Sequence, residues 1–450
     1  MKIKIPISIT SKSNLFLAGV IFCCLVSWTF AAVSAEMKGQ SKPVIISVLG
    51  AVFDYEKENI PLEKQIIQDI SGKGFTGSWD AVSPSWGGPG LPESTQRINT
   101  SQRIINLLHQ YDIDVHYTVA WPTLLPENPV KTVPEYVGQV LNTENSAFEY
   151  EETPNWDFGN ETALTAFINR CRGLFEKVGP VEIFIIDEVA MAKPGDDFWC
   201  KPVSTYWTSP TYSKASLASF QKFLAKKGFM GSMTAKFPVT TIEVKPGTYC
   251  NMGLPAIKIG ESNKDRLVSD NNWPKSRLWK YWYEWRTELY ARWIDGITTV
   301  AHEAWGKNPK WQGCVFSTPP WWYKKEMGID LEKLAKVPHL DYLVCGYTGG
   351  LNYQEIRTAA KRNGKKWGGM VELGRYGQAT GQNPEDIIKL FKQMVADGAS
   401  IIYVFPTVAF QTNRKNPSDK DRKNGLYYMP EQIAAWEACV KWLNARTATP

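Results

Sequence analysis

One local unit recurs eight times along this chain: a short apolar or β-branched run, mostly followed by a segment of helical period. The runs cover residues 44–49, 75–82, 113–120, 181–187, 312–317, 340–345, 367–373 and 400–405, with helix candidates at 61–71, 94–111, 161–177, 351–363, 383–397 and 430–445. Strands alternating with helices imply parallel strands joined by right-handed crossovers. Eight such units imply closure, so the expected fold class is α/β, a (β/α)8 TIM barrel. An open dinucleotide-binding sheet is disfavoured, because the turn after the first run, residues 50–54, holds the single glycine Gly50. A hydrophobic fraction of 43% against 21% charged residues supplies a core for a barrel of this size.

The N-terminus reads differently. Lys2, Lys4 and Lys12 precede an apolar run over 15–32, which ends in Val33, Ser34 and Ala35 before Glu36. A basic start, an apolar stretch and small residues at the cleavage positions describe a secretory signal peptide, residues 1–35. The competing reading is a membrane anchor, since the run is nearly long enough to span a bilayer. Cleavage removes three lysines and no acid, so the net charge falls from +6 to +3. Such a chain lacks the dense positive face of a nucleic acid binder. No second apolar run is long enough to span a bilayer, so no stable membrane insertion is expected after cleavage. The expected location is secreted or periplasmic.

Residues 36–450 are then expected to form a single catalytic barrel, with a long insertion after strand four, residues 189–272, as an inserted loop subdomain. Loops of that length usually carry function. Cys200 and Cys250 are the favoured disulfide pair, and Cys314 and Cys345, inside strand-like runs, are expected as buried thiols. The four histidines include no two within five residues, which argues against a metal centre. Neither metal nor cofactor is expected.

In a (β/α)8 barrel the functional side chains stand at the C-terminal strand ends. Read in order, those ends are Asp54, Asp80, Trp121, Asp187 with Glu188, Thr318 with Pro319, Tyr347, Glu372, and Phe405 with Pro406. Four apolar residues, Ile183 to Ile186, run straight into Asp187 and Glu188; Met370 and Val371 run into Glu372. Two carboxylates across a barrel mouth suit cleavage of a glycosidic bond. One protonates the leaving oxygen, and the other attacks the anomeric carbon or activates water.

The stretch Phe184-Ile185-Ile186-Asp187-Glu188 resembles the acid/base strand of the clan A retaining glycoside hydrolases, and Val371-Glu372-Leu373-Gly374 resembles their nucleophile strand. The long Trp-rich helix after strand four is loosely similar to that of the family 42 β-galactosidases. The resemblance covers roughly residues 44–445. It implies Glu188 as acid/base, Glu372 as nucleophile and Tyr347 as the tyrosine that hydrogen-bonds the nucleophile. Two positions depart from the clan pattern. Asp187 replaces the usual Asn before the acid/base, and an ionised Asp only accepts hydrogen bonds, so the sugar contact must reverse or the sugar must differ there. Its charge would also raise the pKa of Glu188. Phe405 and Pro406 stand where the clan has a strand-eight Trp.

Nineteen Trp residues exceed what core filling needs. Trp79, Trp86, Trp121, Trp199, Trp207, Trp321 and Trp322 follow strand ends, where indole faces stack on sugar rings or pack loops. A carbohydrate partner is expected, contacted by Asp187, Tyr347, Trp121, Asp80, Trp321 and Asp54, with Asp54 and Asp80 also readable as loop caps. Trp279, Trp282, Trp285 and Trp293 have helical spacing and belong to a packed face. His116, within strand three, reads as a satisfied core histidine. Residues 414–423 carry five basic against two acidic side chains, which makes an anionic glycan a further candidate and a solvated loop the plain alternative. Two functions remain open. One is an exported retaining glycoside hydrolase; the other is a non-catalytic carbohydrate-binding TIM barrel that lost turnover, with Asp187 as the sign of drift.

Overall fold

Eight parallel strands close on themselves: β1 (Val44–Val48), β2 (Gly77–Trp79), β3 (Asp114–Ala120), β4 (Ile183–Asp187), β5 (Gly313–Thr318), β6 (Tyr342–Cys345), β7 (Lys366–Glu372) and β8 (Ile401–Phe405), with β8 pairing back to β1. The computed structural model describes residues 43–48, 59–79, 95–120, 137–142, 149–187, 213–228, 231–234, 239–245, 248–253, 256–259, 277–318, 328–346, 353–374, 381–410, 415–416, 418–419 and 427–447. The helices are α1 (Ile60–Ser71), α2 (Thr95–His109), α3 (Glu161–Val178), α4 (Lys214–Lys226), α5 (Arg277–Trp305), α6 (Leu331–Leu334), α7 (Gln354–Arg362), α8 (Pro384–Ala396) and α9 (Pro430–Thr447). None of the described helices is long and apolar enough to cross a membrane.

Each strand serves two cores through its period of two. Ile183 and Ile185 of β4 point into the barrel with Val315, Val344, Met370 and Tyr403, while Phe184 and Ile186 pack outward against the helices. Helix starts follow capping chemistry. Asn59, Asn160 and Asn383 each accept a hydrogen bond from a first-turn N–H, and Pro61 and Pro384 occupy first-turn positions where no amide donor is required.

One buried carboxylate fixes the lower end of β4. Glu182 accepts from the Val115 N–H at 2.7 Å, contacts His109 Nε2 at 3.0 Å and accepts from Asn308 Nδ2 at 3.1 Å. Burial alone would raise its pKa, but these partners more than offset it and hold the carboxyl below its ordinary value. The register of β4 against β3 is thereby tied at the end opposite to Asp187.

The described residues of the insertion after strand four form regular elements that its Gly- and Pro-rich sequence does not announce. It contains α4 and two antiparallel pairs, Gly231–Thr234 with Ala256–Ile259 and Val239–Lys245 with Thr248–Gly253. Phe220 of α4 sits 4.7 Å from Trp282 and 5.1 Å from Trp285 of α5, centroid to centroid. The helix is thus part of the main core. Between β3 and α3 lies a further antiparallel hairpin, Val137–Asn142 with Glu149–Trp156, which the sequence pattern does not announce. Trp282, Trp285 and Trp293 are buried as their spacing predicts, and Cys171, Cys314, Cys345 and Cys439 are buried free thiols. Cys200 lies outside the described residues.

Candidate active site

The C-terminal strand ends form one mouth, and two carboxylates of the sequence reading face it. Asp187 continues the inward set of Ile183 and Ile185 and is only 3% exposed. Glu372 continues the inward set of Met370, pairs in register with the inward Phe405 and is half-buried. They end strands four and seven, with β5 and β6 between them in the barrel.

The strand registers stack the interior in rings drawn from alternate strands. Trp79, Ile185, Val344 and Tyr403 occupy one ring, and Asp187, Gly346 and Phe405 stand one level higher. The lower ring is the floor of the mouth, where the Trp79 and Tyr403 rings lie 4.9 Å apart at 59°. Burial, then the negative charge of Asp187, push the Tyr403 phenol well above its ordinary pKa. A neutral phenol therefore lies within the field of the Asp187 carboxylate. Tyr403 Oη and Ser317 Oγ have no hydrogen-bond partner among the described residues.

Backbone contacts fix the end of β7. The Leu373 N–H donates to Phe405 O at 2.6 Å, and the Gln382 N–H donates to Leu373 O at 2.8 Å. Gly374 bridges Gly381, and Gln432 of α9 donates to Gln382 O at 2.9 Å. The chain leaving Glu372 is therefore held on both sides, which suits a carboxylate that must keep its position through a reaction.

His116 needs one correction. It is a core residue, but not a satisfied one: neither ring nitrogen has a hydrogen-bond partner among the described residues. Burial drives its pKa down to about 3, against the opposing effect of Glu182. The ring occupies the space a side chain at Gly77 would need, since a Cβ there would stand 2.5 Å from His116 Nε2. A neutral imidazole at that depth has no acid–base role near neutral pH.

Glu188, Tyr347, Trp121, Asp80, Trp321 and Asp54 lie outside the described residues, as do Trp86, Trp199, Trp207 and Trp322. Of residues 414–423, Lys415 and Asp419 are described and exposed, and Lys415 Nζ stands 5.6 Å over the Tyr428 ring. Tyr403 is the mouth residue that sequence reasoning missed. The available signal was the period of two in β8, which places Ile401, Tyr403 and Phe405 on one face.

No protein-family model matches the sequence, and no curated protein matches it. Solved structures do share the architecture. The catalytic domain of a β-amylase from Paenibacillus polymyxa is similar at a TM-score of 0.52 and 11% identity, over 89% of this chain and 98% of that one. A β-galactosidase from the Antarctic haloarchaeon Halorubrum lacusprofundi is similar at 0.56 and 10% identity, over 89% of this chain and 58% of that one. For a cold-adapted β-galactosidase from Rahnella sp. R3 the values are 0.53 and 11%, over 91% and 57%. The chain spans less than two thirds of either galactosidase. At these identities the likeness is one of fold. The chain is a TIM barrel.

Proposed function

We propose that the protein is an exported glycoside hydrolase that cleaves an oligo- or polysaccharide with retention of configuration, Glu372 acting as nucleophile and Glu188 as acid/base. The observation that supports this reading is that β4 ends at Asp187, the residue before Glu188, and β7 ends at Glu372, both at the C-terminal mouth with β5 and β6 between them. The barrel shared with a β-amylase and two β-galactosidases supports it, and the two galactosidases agree with the family 42 resemblance.

In the first step Glu372 attacks the anomeric carbon while the carboxylic acid of Glu188 gives its proton to the leaving oxygen. In the second, Glu188 as carboxylate takes a proton from water, which displaces Glu372 and frees the sugar. Asp187, buried over a neutral phenol, would accept a hydrogen bond from a sugar hydroxyl, with Tyr347, Trp121, Asp80, Trp321 and Asp54 completing the substrate contacts. The non-catalytic binding barrel remains the second reading, because an Asp occupies the place of the clan's Asn. Residues 1–35 would direct export, and 189–272 would form a subdomain beside the mouth.

The test is turnover of the purified protein on a panel of aryl glycosides and polysaccharides. Glu372→Gln should abolish it on every substrate. Glu188→Gln should spare the first step for good leaving groups, which need no protonation, and lose it for natural glycans. Equal loss on both classes in pre-steady-state measurements removes Glu188 from the acid role. Binding of glycans without turnover on any substrate favours the non-catalytic barrel.

A further inference from the structure

The N-terminal face of the barrel, opposite the mouth, gathers a donor set that the proposed reaction does not use. His302 lies in the last turn of α5, Cys314 is the second residue of β5, and His339 and Asp341 lie just before β6. His302 Nε2 stands 3.1 Å from Asp341 Oδ2. With Cys314 Sγ these form a trio whose ligand atoms all lie within 4.8 Å of one another. The His339 ring is 4.7 Å from that of His302, centroid to centroid. Two of the chain's four histidines therefore meet here, 37 positions apart in sequence. Sequence spacing had hidden the pair.

The local chain holds these groups in place. The Cys314 N–H donates to Asp341 Oδ2 at 2.8 Å, and Cys314 Sγ lies 3.8 Å from the carbonyl of Thr298, one turn before His302 on α5. Gly313, at φ +126°, makes room for the carboxylate; a Cβ there would stand 2.3 Å from Asp341 Oδ2. The Trp311 ring packs edge-on against His302 at 5.1 Å and walls one side.

We propose that His302, Cys314 and Asp341, with His339 as fourth donor, form a structural zinc site that ties α5 to the N-terminal ends of β5 and β6. Zinc takes thiolate, imidazole and carboxylate ligands in a tetrahedron, with bonds of about 2.0–2.3 Å. Such bonds put neighbouring donor atoms roughly 3.3–3.6 Å apart, so the His302–Asp341 pair at 3.1 Å needs only a small widening to span one edge and the sulfur a short distance to close. A thiolate and two imidazoles select against calcium and magnesium, which take oxygen donors. Binding releases the Cys314 thiol proton to solvent, and each imidazole binds as the neutral ring through its unprotonated nitrogen, its N–H moving to the other ring nitrogen where needed and an imidazolium releasing one further proton. The site lies away from Glu372, so its role is to fasten the fold rather than to take part in turnover.

The experiment uses the full mature chain, stripped with a chelator and titrated with Co²⁺ and then Zn²⁺. One equivalent of cobalt should bind with a thiolate-to-metal charge-transfer band, zinc should displace it, and zinc should raise Tm. Cys314→Ser should abolish the band. His302→Gln, which keeps a hydrogen-bond donor toward Asp341 and so spares the fold, should weaken zinc binding at least about 100-fold. Glu372→Gln should bind zinc as the wild type does, which separates this outcome from that of the glycosidase reading. No stoichiometric uptake, or equal uptake by both ligand variants, would overturn the proposal and leave the trio a hydrogen-bonded cluster.

Discussion

The Tyr403 phenol lies within the field of the buried Asp187 carboxylate, where water does little to stabilise charge. The phenol stays neutral because burial and the Asp187 carboxylate both oppose its ionisation. A sugar hydroxyl that donates to Asp187 would make a charge-assisted hydrogen bond in a dry site, which is where such bonds count most. Asp187→Asn should therefore raise KM about 10-fold or more, with a smaller change in kcat. If kcat falls instead and the basic limb of its pH profile disappears, Asp187 is the acid and Glu188 is not. His116 gives a second prediction at this scale. Its folded pKa of about 3 lies below the unfolded value of 6.5. The unfolded chain thus binds the extra proton first as pH falls. The stability that the neutral ring contributes is full above pH 6.5 and is lost progressively down to about pH 3. Urea midpoints of wild type should drop across that window, and His116→Leu should flatten the drop. Equal slopes would show that carboxylates alone set the acid limit. Asp187 and Glu372 were legible in the sequence because an apolar run ends in each. Tyr403 was not, since a tyrosine inside an apolar strand gives no sign of which face it occupies until the register is known.

At the scale of elements, all eight strands were legible, because buried parallel strands are short, apolar and bounded by helices of a different period. The hairpin over Val137–Asn142 and Glu149–Trp156 was not, since Gly138, Gln139, Asn142, Glu151 and Glu152 give it too little apolar alternation. Helix α4 carried a readable stripe, Leu217, Phe220, Phe223 and Leu224, but it stands inside a stretch rich in Pro, Gly and Ser. Its contact with the two tryptophans of α5 makes it testable. Phe220 is fully buried, so Phe220→Ala should destabilise the protein by about 3–5 kcal/mol in chemical unfolding. A loss under about 1 kcal/mol would mean that α4 packs loosely and that the insertion is a separate unit. The proposed bridge between Cys200 and Cys250 belongs to the same insertion. Six cysteines follow residue 35, and Cys171, Cys314, Cys345 and Cys439 are free thiols. Thiol titration of the unfolded, unreduced and metal-free protein should therefore count four; six would remove the bridge.

For the whole molecule, the charge distribution bears on which glycan is bound. Without residues 1–35, the proposed export signal, the net charge would be +3, equal to that of residues 414–423 alone. This segment follows β8, and segments that follow strands in a (β/α)8 barrel border the mouth. Lys415, the described basic residue there, is exposed and rests over Tyr428, near the start of α9. Arg414 and Arg422 have the planar donors that bind a sulfate or carboxylate through two parallel hydrogen bonds, which lysine cannot do. Each such contact at an exposed site contributes roughly 0–1 kcal/mol and weakens with salt. Neutralising Arg414, Lys415, Arg422 and Lys423 together removes four of them. For an enzyme acting on an anionic glycan, the quadruple variant should show a raised KM for the sulfated or uronic substrate and no change for its neutral counterpart. That difference should shrink as sodium chloride is added, because screening already weakens the wild-type contacts. A KM that rises equally on both substrates would mean that the substitutions disturb the mouth itself. No rise on either would make residues 414–423 a solvated turn and point to a neutral glycan, held by aromatic stacking and by the carboxylates of β4 and β7.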